Sequence, residues 1–423
     1  MNWKKTTIGK HCVVTSSKRF HLSDRSSSGI PFYCSKEIIQ KAKGQKVIDC
    51  DYIKDEAYET VKAKFGVPES GDLLITTRGT YGVPYIYKPE DKFYFADGNL
   101  TWLKDFDKNL MAEFLYYWIL SYEGQKKIDA IAKGTAQKAV PIASIKDIEL
   151  LIPDIAIQRR IASVLASYDS LIQNNQKQIK LLEEAAQRLY KEWFVNLHFP
   201  GHENVKIVDG VPEGWNCQFL AEVVGYEIGG GWGEDSVTEK CDKPAYIIRG
   251  TDLHGITNGN ISGIPYRYHV NKNLEARALE DGDIIFEVSG GSKAEGVART
   301  VLIRDTVLEF LRAPVMCASF CKLVRVNEKQ YSQLLFDTFQ YMRYSGKTGE
   351  YDKKSASSIV NYRWKDFLST EIILIPNDEL LSKYNALSEN IYQLILKKSI
   401  EIEKAKEARD RLLPKLMNGE IEV

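Results

Sequence analysis

The feature that most constrains the fold is a helical periodicity that extends over about 40 residues and occurs twice. Between residues 155 and 194 apolar side chains recur every three or four positions, Leu171 among them, without a glycine or proline. Residues 381–416 repeat this spacing, through Leu387 and Leu394, beside a face rich in lysine and glutamate. Such a helix reaches about 60 Å, which is too long for a compact domain unless another helix runs beside it. The two stripes therefore favour a two-helix coiled coil over two unrelated surface helices.

The segments outside these helices have a different character. Each is rich in short β-type runs separated by glycine, asparagine and aspartate turns, and each has the usual size of one α+β domain. We therefore predict an α+β fold in which two α+β domains are separated by two long helices. The predicted order along the chain is a first domain (1–152), a helix (153–196), a linker (197–210), a second domain (211–376), and a helix with a tail (377–423).

The two halves of the chain also repeat one another. In each half a helix begins directly after an Ile-Pro pair, at Pro153 and at Pro376. The other matching segments are Trp3 with Trp215, residues 71–87 with 282–303, and residues 133–153 with 353–376. The sequence therefore predicts the same plan twice, a domain followed by a helix.

Charge and cysteine content exclude several classes of protein. The 57 basic residues balance the 57 acidic ones, which gives no support to a generic nucleic-acid binder but leaves a local basic groove possible. Residues 1–152 hold 23 basic and 19 acidic side chains, and residues 211–375 hold 19 basic and 22 acidic ones.

The seven cysteines are odd in number and lack a Cys-x-x-Cys spacing, so reduced thiols are expected. The longest apolar run, residues 114–120, is too short to span a bilayer, so we expect a cytoplasmic protein with no membrane partner.

Motifs that resemble catalytic or metal sites fail on their spacing. The pairs Cys317/Cys321 and His198/His202 are candidates for metal ligands, but Pro200 and Gly201 break the helix that would align the histidines. Asp72 with residues 90–92 mimics a nuclease spacing, yet the second element is a polar turn. No two prolines are adjacent, so the chain has no motif of an amino-methylating enzyme. We therefore predict no catalytic residue, no metal and no cofactor.

Several of these segments resemble one protein family, the specificity subunits of type I restriction-modification enzymes. The resemblance covers essentially the whole chain, and it is most specific in the helix that ends in Lys-Glu-Trp-Phe. One departure is Ile157, where a glutamate commonly precedes the Gln-Arg-Arg sequence. The segments are residues 153–203 (central conserved region), 211–215 (start of the second target recognition domain), 409–423 (C-terminal end), and 29–38 with 92–103 (one common type of recognition domain).

The resemblance implies a non-catalytic DNA-recognition subunit. Each target recognition domain would read one half of an asymmetric bipartite site, and the two helices, antiparallel in this family, would set the spacer between the halves. The implied partners are double-stranded DNA, two methylation subunits that dock on the helices, and restriction subunits that join this core.

Polar loops that follow the repeated strands are the best candidates for reading DNA, because base and phosphate contacts need exposed donors and acceptors. A single lysine or arginine is more often a solvated surface charge, so the loops as a class are better supported than their members. The candidates are Lys18, Arg19, Arg78, Tyr81, Gln137 and Lys138 in the first domain, and Trp232, Arg249, Ser292, Lys293, Lys347, Lys353 and Lys354 in the second.

Two other functions stay open at this point. The chain could be a self-contained modification enzyme with an unrecognised active site, which methyl transfer by the isolated chain would reveal. It could also be a coiled-coil scaffold without a DNA role, which a gel shift with the methylation subunit and genomic fragments would test.

Overall fold

The computed structural model describes residues 3–134, 138–258, 261, 263–290, 296–354 and 359–423. The chain forms two compact units. The first comprises Met1–Ser170 and Lys406–Val423, and the second comprises Leu171–Ala405. Among the described residues, no helix is both long enough and apolar enough to cross a membrane.

The first unit packs short helices against two four-stranded sheets. Its strands are β1 (Lys4–Thr7), β2 (Val13–Thr15), β3 (Arg25–Ser26), β4 (Ile30–Tyr33), β5 (Asp51–Ile53), β6 (Leu73–Thr76), β7 (Pro84–Ile86), β8 (Tyr94–Phe95), β9 (Leu100–Lys104) and β10 (Glu149–Ile152). Its helices are α1 (Ser35–Ala42), α2 (Asp55–Phe65), α3 (Ala112–Leu120), α4 (Tyr122–Ile131), α5 (Ile142–Ile145) and the start of α6 (Ile155–Tyr190). The sheet orders are β2-β9-β6-β7 and β3-β5-β4-β8, and β1 pairs with β10.

The centre of the first unit is the strand β6. All four of its residues are buried, as the unbroken apolar run Leu73–Ile75 requires of a strand that is covered on both faces. Leu73 and Ile75 pack in one cluster with Phe114 of α3. Leu74 belongs to a second cluster that is rich in aromatic side chains, including Trp102. Alternate residues of one strand thus join two separate parts of the core.

The second unit is built in the same way from a longer segment. Its strands are β11 (Ile207–Val208), β12 (Val211–Pro212), β13 (Asn216–Phe219), β14 (Val224–Gly229), β15 (Lys243–Ile248), β16 (Tyr266–His269), β17 (Ile284–Glu287), β18 (Ser289–Gly290), β19 (Thr300–Leu302), β20 (Val315–Cys317), β21 (Cys321–Val326), β22 (Asp352–Lys354), β23 (Val360–Tyr362) and β24 (Ile372–Ile375). Its helices are the end of α6, then α7 (Leu220–Val223), α8 (Leu253–Asn258), α9 (Asn271–Arg277), α10 (Asp305–Leu311), α11 (Ser332–Tyr344), α12 (Trp364–Thr370) and most of α13 (Asp378–Met417).

The strand order of the second unit matches that of the first. The sheet β14-β21-β17-β19 corresponds to β2-β9-β6-β7, and the antiparallel pair β13-β24 corresponds to β1-β10. In the remaining sheets β4 and β15 each have one antiparallel neighbour (β5, β16) and one parallel neighbour (β8, β20). This correspondence confirms the internal repeat that the sequence predicted.

The long helices α6 and α13 pair antiparallel within each unit. In the first unit Arg409 Nη1 lies 2.6 Å from Asp169 Oδ1. In the second unit Asn175 Nδ2 donates to Glu401 Oε2 over 3.1 Å. As residue numbers rise along α6, the numbers of the facing residues on α13 fall, which is the geometry of an antiparallel pair. The predicted fold class, with two long helices in an antiparallel coiled coil, is confirmed.

The apolar stripes of these helices are only partly buried. Leu171, Leu387 and Leu394, which the periodicity placed in the seam, are about half exposed. Tyr392 and Leu396 of α13 are buried instead, because the helix also packs against the body of the second unit. The periodicity therefore identified the helices correctly but assigned part of the wrong face to the core.

Candidate nucleic-acid interface

Three loops of the first unit meet at Thr77, the buried residue that follows β6. The Thr77 amide donates to the carbonyl oxygen of Asn99 over 2.8 Å, and its hydroxyl donates to that of Gly98 over 3.1 Å. The Val140 amide donates to the carbonyl oxygen of Thr77 over 2.9 Å. The loop after β6, the turn between β8 and β9, and the loop before α5 are thereby fixed to one another. We call this group of loops the first loop cluster.

The same arrangement is present in the second unit around Val288, the residue that follows β17. The Val288 amide donates to the carbonyl oxygen of Phe320 in the turn between β20 and β21, over 2.9 Å. The Tyr362 amide donates to the carbonyl oxygen of Val288, also over 2.9 Å. Val288, Phe320 and Tyr362 thus take the places of Thr77, Asn99 and Val140 in the first unit. We call these loops the second loop cluster.

Arg78, Tyr81 and Lys138 lie together in the first loop cluster. Arg78 pairs with Ala139 in an isolated β-bridge, which holds the loop after β6 beside the loop that contains Lys138. The Tyr81 hydroxyl donates to Asp129, and Lys138 Nζ lies 3.6 Å from the same carboxylate. The Tyr81 hydroxyl, and to a smaller extent the Lys138 ammonium, hold the pKa of Asp129 below its usual range. Arg78 is exposed and has no acidic partner among the described residues.

Lys18 and Arg19 flank this cluster on the loop after β2. Arg19 contacts Asp97 Oδ2 through Nε and Nη2, each at 2.8 Å, and Asp97 belongs to the turn between β8 and β9. The Lys18 amide donates to the hydroxyl of Tyr94 over 2.7 Å, and its ammonium lies 4.4 Å from the ring centre of Phe65. Both side chains are exposed. Gln137 lies outside the described residues.

In the second loop cluster the turn between β20 and β21 gathers the loops after β14, β15 and β17. Each loop is held at this turn by at least one backbone hydrogen bond, and such a bond does not depend on which side chain the loop presents. The bonds are Gly230 N to Cys321 O (2.9 Å), Gly231 N to Cys317 O (3.0 Å), Ala318 N to Ile248 O (2.9 Å) and Val288 N to Phe320 O (2.9 Å).

Two exposed aromatic rings belong to this second cluster. Trp232, a predicted residue, is 42% exposed, and the guanidinium of Arg267 lies 4.5 Å from its ring centre. Arg267 is oriented by Asp235 and by the carbonyl oxygen of Gly233. Phe320 is 53% exposed at the turn itself. The sequence reasoning missed Arg267 and Phe320, although a large apolar residue in a tight turn between two strands is a signal for a functional surface position.

Arg249 and Lys347 are held by acidic neighbours. Arg249 makes a bidentate pair with Asp252, through Nε and Nη2 at 2.8 Å each. Lys347 Nζ lies 3.0 Å from Glu350 and 3.3 Å from Glu371, just before β24. In the part of the chain that the structure describes, no hydrogen bond or ion pair joins Lys347 to the turn between β20 and β21, so the structure does not bring it together with the second loop cluster.

Lys353 lies on β22, in the small sheet β18-β23-β22. It is paired with Asn361, and Asn361 is paired on its other side with Ser289. The Ser289 hydroxyl also bonds to Asn361 Oδ1 over 2.8 Å. Lys353 therefore shares a sheet with the strand that leads into residues 291–295. Ser292 and Lys293 lie outside the described residues, as does the side chain of Lys354.

The pairs that resembled metal ligands have other surroundings. Cys317 and Cys321 are buried free thiols, and burial raises the pKa of Cys317 to about 12. His198 contacts Glu192, and His202 contacts the carbonyl oxygen of Phe199. Within the described ranges, no group of three histidine, cysteine, aspartate or glutamate residues is placed to hold a metal ion.

Comparison with known proteins shows what the chain is similar to. Residues 2–184 match the model of the type I restriction modification DNA specificity domain. The chain is 25% identical to the type I restriction enzyme MjaIX specificity subunit of Methanocaldococcus jannaschii, over 84% of this chain and 78% of that protein. The chain is thus similar to the specificity subunits of type I restriction enzymes, both in the family model and in this relative.

Two further comparisons extend this likeness over the full length. The HindI specificity subunit of Haemophilus influenzae is 23% identical over 99% of this chain and 100% of that protein. The crystal structure of the type I system S subunit from M. genitalium has a TM-score of 0.61 and 15% identity, covering 99% of this chain and 96% of that one. The fold of this chain is therefore similar to that of the M. genitalium subunit over almost its whole length.

Proposed function

We propose that this chain is the non-catalytic DNA-recognition subunit of a type I restriction-modification enzyme, and that each loop cluster reads one half of a bipartite site. The observation that carries the proposal is the repeated backbone geometry: Thr77 with Asn99, and Val288 with Phe320, form the same hydrogen bond at the same place in the two units. A scaffold without a DNA role has no need to fix two sets of polar loops in this way. Residues 1–152 and 211–376 act as the two recognition domains.

The two loop clusters differ in chemistry, which fits an asymmetric site. The first presents Arg78 and Lys138 beside Tyr81, a set suited to phosphate oxygens and to guanine in the major groove. The second presents Trp232 and Phe320, which suit stacking and contact with thymine methyl groups. Side chains that read different groups would select different bases in the two half-sites.

The helices α6 and α13 set the spacer and dock the methylation subunits. A charged row is exposed along α13, and four leucines on the two helices are exposed without a partner in the described structure. Exposed apolar side chains beside charged ones are typical of a protein-protein interface. The residues are Lys397, Glu401, Lys404, Glu407 and Asp410 in the charged row, and the exposed leucines Leu171, Leu181, Leu387 and Leu394. Two methylation subunits bind here, and restriction subunits join the resulting core.

The test is methylome sequencing of cells with and without the gene. We expect deletion to remove adenine methylation at one bipartite motif and to leave other methylation unchanged. An unaltered methylome would contradict the proposal, and so would methyl transfer by the isolated chain. A gel shift with the methylation subunit and fragments that carry the motif separates a DNA reader from a scaffold, since only the reader would retard them.

A further inference from the structure

The internal repeat makes each position of α6 equivalent to a position of α13. Pro153 and Pro376 precede the two helices, and both helices begin two residues later, at Ile155 and Asp378. In this correspondence Asp169 of α6 matches Tyr392 of α13. Arg409 of α13 likewise matches Ala186 of α6. The pair Asp169 and Arg409 in the first unit thus has Tyr392 and Ala186 as its counterpart in the second.

In the first unit this position holds a largely buried guanidinium. Arg409 Nη1 lies 2.6 Å from Asp169 Oδ1, and the side chains are 28% and 22% exposed. The Tyr117 hydroxyl donates to the other oxygen of the same carboxylate over 2.7 Å. The Arg409 side chain thereby fills the space between α6, α13 and α3, and the carboxylate of Asp169 balances its charge.

In the second unit the arginine is absent and a cleft takes its place. With Ala186 at the equivalent position, a cleft of about 500 Å³ opens between α6, α8, α11 and α13. Its lining combines aromatic rings, carboxyl groups and basic side chains. Residues that line it include Glu183, Ala186, Tyr190, Asp337, Tyr341 and Tyr392.

Among the described residues, Glu183 is the acidic group of the cleft that forms no hydrogen bond or ion pair. It lies one helical turn before Ala186, on the same face of α6. Burial, with a smaller contribution from Glu184, raises the pKa of Glu183 to about 7. No basic side chain in the described ranges forms an ion pair with Glu183. Asp337 is by contrast satisfied, since it accepts hydrogen bonds from the hydroxyls of Tyr384 and Ser388.

The basic side chains of the lining do not neutralise Glu183. Arg299 makes a bidentate pair with Glu287, at 2.8 and 2.5 Å. Arg343 donates to the carbonyl oxygen of Val297. His254 is exposed at the border of the cleft. A cation that enters beside Ala186 would therefore meet an unpaired carboxyl group and tyrosine rings, which are the groups that bind guanidinium ions.

We propose that this cleft binds the guanidinium group of an arginine side chain that a protein partner presents to the helices. The partner supplies in trans the group that Arg409 supplies within the first unit. The inference rests on the proposed function, in that the partner is the methylation subunit docked on α6 and α13. Charge complementarity with Glu183 favours a cation. A protein source is favoured because α6 and α13, the helices of the proposed docking site, also line the cleft.

The first experiment titrates the full chain with methylguanidinium and measures binding by calorimetry. We expect saturable binding to the unmodified protein, and binding that is at least tenfold weaker in Glu183→Gln and in Ala186→Arg, which fills the cleft with its own guanidinium. Ala185→Arg is the matched control, because Ala185 is exposed and does not line the cleft. A melting temperature of Ala186→Arg no lower than that of the unmodified protein shows that this variant folds. Absence of binding to the unmodified chain would overturn the proposal.

The second experiment measures the affinity of the methylation subunit for the same proteins. Glu183→Gln and Ala186→Arg should weaken this complex at least tenfold, and Ala185→Arg should leave it unchanged. Methylguanidinium binding with an unchanged complex would show a site for a free cation and overturn the protein source. Failure of the unmodified chain to bind any methylation subunit would contradict the proposed function and with it the partner, whereas the calorimetry would still report on the cleft.

Discussion

At the scale of residues, the basic side chains predicted to contact DNA form two groups: those that pair with a carboxylate and those that do not. Arg19, Arg249 and Lys347 are each paired with a carboxylate. Arg78 and Lys353 have no acidic partner among the described residues. A paired side chain must break its ion pair with the carboxylate before it can contact a phosphate. The loss of this ion pair offsets much of the free energy gained from the phosphate contact. The unpaired residues are therefore the stronger candidates for DNA contacts.

The first prediction follows for Arg78. Replacing it with alanine should weaken binding of the assembled enzyme to its site and reduce the slope of log K against log salt by about one, because one phosphate contact is lost. If Arg78 reads a guanine instead, affinity should fall by about 1–3 kcal/mol at one base position only. Fluorescence anisotropy at several salt concentrations measures both the affinity for DNA and its salt dependence. Lys347→Ala is the control, and an equal loss in that variant would contradict the distinction.

The second prediction concerns Glu183 and pH. Its pKa is raised from 4.5 to about 7, chiefly by burial, so between these values the unfolded chain releases its proton before the folded chain does. Stability therefore falls as pH rises through this window, and the loss is complete above pH 7. Glu183→Gln should remove that loss and raise the melting temperature at pH 8 by about 2–4 °C, the shift expected from about 1 kcal/mol, with little change at pH 4.

Thermal denaturation of the two proteins across pH 4–8 measures this effect. Glu184→Gln is the matched control, because Glu184 is exposed and contributes only the smaller part of the shift. A melting temperature that rises equally at both pH values would indicate a packing effect rather than the titration of Glu183.

At the scale of elements, the antiparallel helices carry the proposed spacer. The contacts of Asp169 with Arg409 and of Asn175 with Glu401 define which residues face each other. Counted from the nearer contact, Asn175 with Glu401, residues 176–182 of α6 face residues 394–400 of α13. Because polar side chains in a helix seam fix the register, a change in one helix alone would misalign these contacts.

The third prediction is that removing both facing heptads shortens the spacer. Seven residues rise about 10.5 Å and leave the apolar stripes about 20° out of phase, so the helices can still pair. We expect the two half-sites to survive with a spacer about three base pairs shorter. Methylome sequencing measures the spacer directly. Methylation of the original motif with its original spacer would show that the helices do not set the distance.

At the scale of the whole molecule, the same strand order builds two units that present different loop surfaces. Thr77 and Val288 make equivalent backbone hydrogen bonds, whereas the side chains around them differ. Because these hydrogen bonds join backbone atoms, they place the loops without specifying the side chains that the loops carry. We therefore predict that each unit recognises its half of the DNA site independently of the other unit.

The fourth prediction tests this independence by exchange of a domain. Replacing residues 211–376 with the corresponding domain of another specificity subunit should change one half of the recognised motif and leave the other half intact. The methylome of cells that carry the chimera gives the new motif. A change in both halves at once would contradict independent recognition.

The sequence by itself determined the long helices, the repeat and the fold class, because these depend on local periodicity and on turns within a few residues. It also located the loops that carry Arg78, Tyr81 and Lys138. It did not reveal Asp129, which joins Tyr81 to Lys138 from 48 residues away, or the ring contact between Trp232 and Arg267.

Those contacts were decided by the tertiary structure. Strand pairing brings distant loops to one turn, and no local pattern encodes which side chains then meet. Leu387 and Leu394 illustrate the same limit, since the helical period fixes which residues share a face but not which face the body of the unit covers. The cleft beside Ala186 exists only because four helices converge there. A small side chain such as that of Ala186 leaves a cavity only when the surrounding elements are in place.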